Sequence, residues 1–440
     1  MKEKCGVFGL YTKNSSYQNL DYVIQGLKHL QHRGQESCGL AYHQNTELIC
    51  EKELGMVANA FKELKYEKIK TNKCIGHVRY STSGNSKNNE KDLYEECQPL
   101  YGKCKLGSFF LAHNGNIPNL NEHDTQYIIK FIQNSLETTW TNIFISLIES
   151  IPVAYCLLVI THNSIFAIRD RYGIRPLCIG VNNKTDFCFS SESCALQHYD
   201  YVRDVKPGEI VIANNDGLKS KYVSPSSNHR LCAFECIYFM NEKSICNGMI
   251  VSEIRQILGN ELANKETFVF YENTIVVGVP KTGVIYAKGY AKTLNLPYIQ
   301  VIHKNENVGR TFIAPSNEER LSLCRRKFSF DESKIKDKNI IIIDDTIVRG
   351  NVMKTIIQEL YNFGAKKIHV RIPSPKIINK CSLGIDIPSC EELLAFNRTN
   401  IEIAKELKVS TINYLDYDDL DKILSFSSYK ECFGEMYDYK

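Results

Sequence analysis

Cys5 opens the glycine-punctuated run Cys5-Gly6-Val7-Phe8-Gly9, behind the four residues Met1-Lys2-Glu3-Lys4. If residues 1–4 are a removable propeptide, one residue carries nucleophile and base together. The thiol attacks, and the freed α-amine, with a reference pKa of about 7.7–8.0, takes the proton. Taken by itself, the same cysteine also fits a buried small hydrophobe in a first strand, because free Cys is among the most often buried residue types. Three other segments supply what a thiol nucleophile would need. His77-Val78-Arg79-Tyr80-Ser81-Thr82 sets Arg79 at a strand end, suited to a bidentate grip on an α-carboxylate. Ala112-His113-Asn114-Gly115-Asn116 offers the Asn114 side-chain amide and the Gly115 N–H, the ingredients of an oxyanion hole. Asp124 supplies an acid for an α-ammonium group. Together they describe a pocket for an amino acid whose side chain is attacked by a thiol.

A second constellation lies far downstream. Ile340-Ile341-Ile342-Ile343 predicts a strand buried on both faces, and it ends in Asp344-Asp345-Thr346-Ile347-Val348-Arg349-Gly350. In open α/β sheets ligands bind beyond the carboxyl ends of the strands, so the acids point into a site. The segment from Thr346 to Gly350 runs into a helix, whose first amides, a hydroxyl and a glycine can cradle a phosphate. The adjacent carboxylates Asp344 and Asp345 would hold ribose hydroxyls and Mg²⁺ beside it. The bland alternative is a strand followed by a polar helix cap. Upstream, Lys304, Arg310, Arg320, Arg325, Arg326 and Lys327 form a basic stretch. It reads either as a loop that closes over a substrate with several phosphates or as a solvated charged surface.

These residues need elements to position them. Helical spacing predicts helices over residues 21–31 and 124–151, and short strands over 73–80, 109–113, 154–160, 164–169 and 209–213. Many strands with two helices imply packed sheets. Composition turns loop-like near residues 224–229, and beyond it strands alternate with helices. Strands are expected at 274–279, 298–301, 339–343 and 367–371, and helices at 284–294, 352–363 and 390–407, the pattern of a parallel sheet with crossover helices. The chain has 440 residues, too many for one ordinary core, and two domains are expected. With 43% hydrophobic residues, 24% charged residues and a net charge of +4, nothing calls for nucleic acid or membrane partners. The polar start is no signal peptide, so the cytoplasm is the default compartment, and 17 scattered cysteines read as reduced thiols, metal ligands or a catalytic thiol.

The Asp344-Asp345 unit resembles the motif by which phosphoribosyltransferases bind phosphoribosyl pyrophosphate (PRPP). Val276-Val277-Gly278-Val279-Pro280-Lys281-Thr282-Gly283 is similar to the loop that wraps the pyrophosphate in those enzymes, where Lys281 would contact PRPP and Thr282 would help hold Mg²⁺. Over nearly its whole length the chain resembles the amidophosphoribosyltransferase family. The first half carries that likeness through the Cys5 run, Leu30-Gln31-His32-Arg33-Gly34-Gln35-Glu36-Ser37, the Arg79 and Asn114 segments, and Gly173-Ile174-Arg175-Pro176-Leu177. The resemblance implies an α+β N-terminal-nucleophile glutamine amidotransferase domain of stacked antiparallel sheets (5–228). It also implies an α/β phosphoribosyltransferase domain (229–425) and a C-terminal tail (426–440).

By the same resemblance Cys5 is the nucleophile, Asn114 and Gly115 line the oxyanion hole, and Arg79 and Asp124 hold glutamine. PRPP would be held by Asp344, Asp345, Thr346, Arg349, Gly350, Lys304, Arg310 and Lys281. The implied reaction is that of a pentosyltransferase: glutamine-derived ammonia displaces pyrophosphate from PRPP to give phosphoribosylamine, the first committed step of purine synthesis. Homo-oligomers and purine-nucleotide feedback inhibitors are further implications. Lys281 stands where the family usually has Asp, Asn351-Val352 replace hydroxyl residues, and Arg171 replaces a proline. Some members bind a [4Fe–4S] cluster; Cys232, Cys381 and Cys432 fall at its ligand positions but Tyr429 takes the fourth, and the resemblance implies a cluster here with Cys236 or a non-cysteine group as substitute. Lys281 and Asn351 motivate one alternative, a PRPP-binding regulatory homologue with glutaminase activity only. The other alternative is an amidotransferase with a different acceptor, against which the Asp344-Asp345 motif speaks.

Overall fold

Alternation in the run after Cys5 makes a strand, β1 (Gly6–Ser16), whose first seven residues are buried. Successive side chains point to opposite faces. Val7 therefore packs into one apolar layer and Phe8 into another. β1 pairs antiparallel with β2 (Thr71–Arg79) on one side and with Asp186–Ser190 on the other, inside a seven-stranded sheet. A six-stranded sheet holds β3 (Gly107–Gly115) beside β4 (Tyr155–Thr161). Val7, Ala41 and Ile75 of the first sheet meet Ala112, Leu158 and Ala167 of the second in a shared core layer.

Helices cover the outer faces. α1 (Asn19–His29) sets Val23 and Leu27 against Phe8 and Leu40. α2 (Asp124–Asn134) and α3 (Trp140–Ser150) bring Ile128, Ile132, Ile143 and Leu147 over Leu111 and Leu157. The first half is thus a helix–sheet–sheet–helix sandwich. The single helix expected over 124–151 is two helices: Ser135 is extended, and Thr139 Oγ1 accepts from Asn142 N at 3.2 Å to start a new one. A hydroxyl cap satisfies an amide that continuous helix would have paired, so it marks a restart.

The second half is built on four parallel strands in the order β5 (Thr274–Gly278), β6 (Asn339–Ile343), β7 (Lys367–Ile372) and β8 (Thr411–Tyr414). Ile341 and Ile343 face Leu258 of α4 (Val251–Asn264) and Ala287 of α5 (Gly283–Thr293). Ile340 and Ile342 face Met353 and Ile356 of α6 (Asn351–Asn362). All four isoleucines are 0% exposed, each worth roughly 1.5–3 kcal/mol of burial. Two expectations change here. Residues 298–301 form only an isolated bridge, Val276 with Tyr298. The helix expected over 390–407 shrinks to α7 (Asn400–Leu407), which starts at a Thr399–Glu402 capping box, behind a 3-10 turn at Cys390–Glu392.

The halves share a core: Ala154 and Ile174 pack in one cluster with Phe234, Ile237 and Leu258. The computed structural model describes all residues except 1–4, 81–89, 119, 121, 122, 224–228, 269, 271, 306–326, 386, 388, 425 and 438–440. Arg310, Arg320, Arg325 and Arg326 therefore lie outside the described residues. Among the described residues no helix is long and apolar enough to cross a membrane.

Candidate active sites

Cys5 stands half-buried at the entry of a central strand. The antiparallel pair Gly6↔Val78, carried one step further, sets Cys5 beside Arg79. Ser191 Oγ accepts from Val7 N at 3.0 Å and from Asn114 Nδ2 at 3.4 Å, so one hydroxyl ties the start of β1 to the end of β3. Gly115 follows, and its backbone is wedged against β4: a Cβ there would lie 2.1 Å from the Ala154 carbonyl oxygen. Only glycine allows that approach. Cys5, Asn114, Gly115 and Arg79, far apart in sequence, thus converge on one end of the sandwich.

Arg79 is buried, with its guanidinium between two carboxylates, Glu36 Oε2 at 2.5 Å and Glu96. The turn carrying Glu36 lies flat on the strand end because Gly34 has no side chain; a Cβ there would sit 2.7 Å from Arg79 backbone atoms. Asp124 opens α2, 3.7 Å from His113 Nδ1, and its Oδ1 accepts from Thr125 N at 2.7 Å. Burial pushes its carboxyl up, but His113, His123 and the Thr125 amide outweigh it and hold the pKa down to about 2. Asp124 is therefore an anion that can meet an ammonium group. His77 is different. Burial takes its pKa down to about 3, and Nε2 bonds the His113 carbonyl at 3.0 Å, so it is a neutral brace between the sheets.

Residues to which sequence reasoning assigned no role complete the site. Arg33, inside the Gln-His-Arg-Gly-Gln segment, donates from Nε to the Cys5 carbonyl at 2.9 Å. Its Nη1 bonds Glu192 Oε1 at 2.6 Å and Glu235 Oε2 at 2.9 Å, and its Nη2 bonds Glu235 Oε1 at 2.8 Å. Burial works against its charge, yet Glu235 and then Glu192 raise its pKa above the ordinary arginine value. His32, Asn241 N and Ser244 Oγ also converge on Glu192. An Arg inside the Gln-His-Arg-Gly-Gln segment was the available signal; its burial is seen only in the fold, and its acidic partners are distant in sequence.

At the second site, Asp344 and Asp345 stand at the carboxyl end of β6. Asp344 Oδ1 accepts from Asp345 N at 3.0 Å, and Thr346 Oγ1 donates to Asp345 Oδ2 at 2.7 Å. Burial, then the neighbouring Asp345 charge, hold the Asp344 carboxyl well above the usual carboxylate range. Two crowded acids of this kind suit a divalent cation, and Mg²⁺ sites need only one or two protein carboxylates when substrate phosphates supply the rest. Among the described residues no group of three or more His, Cys, Asp or Glu side chains forms a metal cage.

Gly350 adopts φ +80° at the cap of α6, where its left-handed turn frees the first amides of the helix. Arg349 Nε bonds Glu392 at 2.8 Å. Gly283 lets α5 touch the end of β6, since a Cβ would lie 2.5 Å from the Ile343 carbonyl oxygen. This brings the loop with exposed Lys281 and half-buried Thr282 beside the acids. Lys304 is exposed at the end of Ile302–Lys304, which pairs with Phe328–Phe330.

The three thiols Cys232, Cys381 and Cys432 lie near one another, and burial raises the pKa of each, that of Cys232 to about 12. The expected fourth position is Tyr429, paired with Cys232 across a two-residue parallel ladder. Its hydroxyl is engaged by Glu431, which also accepts from Ser382 N at 2.7 Å. Cys236 is no substitute, because its Sγ lies 3.1 Å from Cys246 Sγ. With the Tyr429 phenol hydrogen-bonded and Cys236 held against Cys246, three thiols are left for a cluster that takes four thiolates, and the donor set does not fit it.

A family model described as a phosphoribosyl transferase domain matches residues 247–373, and one described as a glutamine amidotransferase domain matches 86–198. Amidophosphoribosyltransferase of Synechocystis is 35% identical over 95% of this chain and 87% of its own length. That of Pyrococcus horikoshii is 36% identical over 94% of this chain and 92% of its own. Among solved structures, the Bacillus subtilis glutamine PRPP amidotransferase complexed with ADP and GMP superposes with a TM-score of 0.86 at 32% identity. It covers 98% of this chain and 95% of the other.

Proposed function

This chain belongs to the amidophosphoribosyltransferase family, and we propose that its two sites act in series on glutamine and PRPP in the first committed step of purine biosynthesis. The observation that carries the reading is the pairing, in one chain, of a cysteine heading a strand that the Ser191 hydroxyl ties to Asn114 with the Asp344-Asp345 end of a buried parallel strand. Once residues 1–4 are removed, the Cys5 α-amine takes the thiol proton and the sulfur attacks the glutamine amide carbon. The Asn114 side-chain amide and the Gly115 N–H stabilise the oxyanion. Asp124, held ionised, faces the α-ammonium group. Arg79 takes the α-carboxylate in exchange for one of its present carboxylate partners. Ammonia leaves, and water hydrolyses the thioester to glutamate.

In the second half the helix cap at Gly350 and the Thr346 hydroxyl receive the 5-phosphate of PRPP. Asp344 and Asp345 hold the ribose hydroxyls, while Lys281, Lys304, Arg310 and Arg349 supply positive charge around the phosphates. Mg²⁺, held by Asp344 and Asp345 with help from Thr282, would neutralise charge on the leaving pyrophosphate. Ammonia replaces that pyrophosphate at the anomeric carbon. It must travel unprotonated, and the shared core of the two halves supports a dry route. Purine nucleotides are proposed as feedback ligands, on the likeness to a relative solved with ADP and GMP.

The test is glutamine-dependent pyrophosphate release. Cys5→Ala should abolish it while free ammonia still supports the reaction. Loss of both activities in a folded Cys5→Ala chain would argue against two separate sites. No observation favours the regulatory-homologue alternative.

A further inference from the structure

We propose that Glu235, supplied by the second half of the chain, is a positioning residue for the nucleophile: by gripping Arg33 it fixes the Cys5 carbonyl and so aims the thiol. The inference rests on the glutaminase role of Cys5 and adds to it a residue outside that domain.

An N-terminal nucleophile has no peptide bond on its amino side. Its covalent tether lies on the carbonyl side alone, so the strand pairing of the next residue and whatever holds the carbonyl bear directly on how the amine and thiol are aimed. That holder is Arg33 Nε, at 2.9 Å from the Cys5 oxygen. A planar guanidinium transmits position well only if its other nitrogens are pinned. Glu235 pins both, with Oε2 at 2.9 Å from Nη1 and Oε1 at 2.8 Å from Nη2. Glu192 shares Nη1, but among the described residues Glu235 is the acceptor for Nη2.

Glu235 is itself enclosed. It is 0% exposed, its neighbours Phe234 and Cys236 are buried in the core common to both halves, and Arg175 Nη1 lies 3.4 Å from its Oε1. Arg175 also donates to the Leu383 carbonyl at 2.7 Å, so the same pair of charges is anchored to a loop of the second half. The acceptor half thereby reaches within two bonded contacts of the nucleophile, and docking of the halves becomes a condition for aiming Cys5.

The experiment uses the full chain with Glu235→Gln, which keeps the side-chain shape and removes the charge. Three quantities are read: the rate of Cys5 alkylation by iodoacetamide, located by peptide mass, and the glutamine-dependent and ammonia-dependent rates of pyrophosphate release. Alkylation and glutamine-dependent kcat should fall together by about tenfold or more. Glutamine KM and the ammonia-dependent rate should stay near wild type. Glu235→Asp, which keeps the charge but draws the carboxylate back by one methylene, should fall between, and it decides the matter alone if Glu235→Gln does not fold. Wild-type alkylation and kcat in the variant would overturn the proposal. So would an ammonia-dependent rate that falls in step, because that marks a global structural role. A wild-type chain that hydrolyses glutamine yet releases no pyrophosphate would refute the proposed overall reaction while leaving the alkylation comparison intact.

Discussion

Replacing Gly115 by Ala probes the oxyanion site where its geometry is least forgiving. The new Cβ would lie 2.1 Å from the Ala154 carbonyl oxygen, 2.6 Å from Tyr155 Cα and 2.8 Å from His113 Nε2. Two of these are backbone atoms on or next to the strand paired with Gly115, so no side-chain rotation relieves the contact. Ordinary non-bonded separations are roughly 3.5 Å, and the strands must part by about 1 Å. A displacement of about 1 Å at a reacting group costs on the order of 100-fold in rate, or about 2.7 kcal/mol of barrier. The overpacking itself should lower stability by about 1–3 kcal/mol. Glutamine hydrolysis, followed as glutamate formed, should drop by that factor, while ammonia-dependent pyrophosphate release persists. An unchanged glutaminase kcat in Gly115→Ala would show that the Gly115 amide does not sit at the oxyanion.

Three shorter expectations follow from the same geometry. Asp124 has its pKa lowered from 3.8 to about 2, so the stability it contributes is present above about pH 4 and is lost as pH falls toward 2. Over that window the wild type should lose on the order of 2 kcal/mol more than Asp124→Asn in acid-unfolding curves, and parallel curves would contradict the assignment. Asp345→Asn, or chelation of Mg²⁺, should abolish pyrophosphate release with either nitrogen source and leave basal glutamine hydrolysis standing. Retained ammonia-dependent turnover would remove Asp345 from the PRPP site. Anaerobically purified protein should lack visible iron–sulfur absorption and stoichiometric iron and sulfide. Their presence would mean that Tyr429 or Glu431 yields its place to a ligand.

The chemistry-bearing segments were legible because each is local. A run of four isoleucines ending in two aspartates needs no distant partner to read as a buried strand delivering acids, and it is that. The Cys5 run likewise reads as a strand with a thiol at its head. Helix breaks at Ser135 and after Cys390 were not legible, because apolar spacing continues through them and the decision rests on capping hydroxyls at Thr139 and Thr399.

Sequence alone supplied the residues behind the two proposed chemistries, a cysteine at the head of a strand and two acids with a glycine at a strand end, since both depend on residue types at short spacing. The tertiary structure alone decided how Cys5 is held. The Arg33 guanidinium finds its acidic partners at Glu192 and Glu235, separated from it by 159 and 202 residues. No local pattern encodes such a pairing, because a buried charge selects partners by where the completed core places them. The same holds for Tyr429, whose position in a ligand set is readable from order, but whose hydroxyl is claimed by Glu431 only in the folded chain.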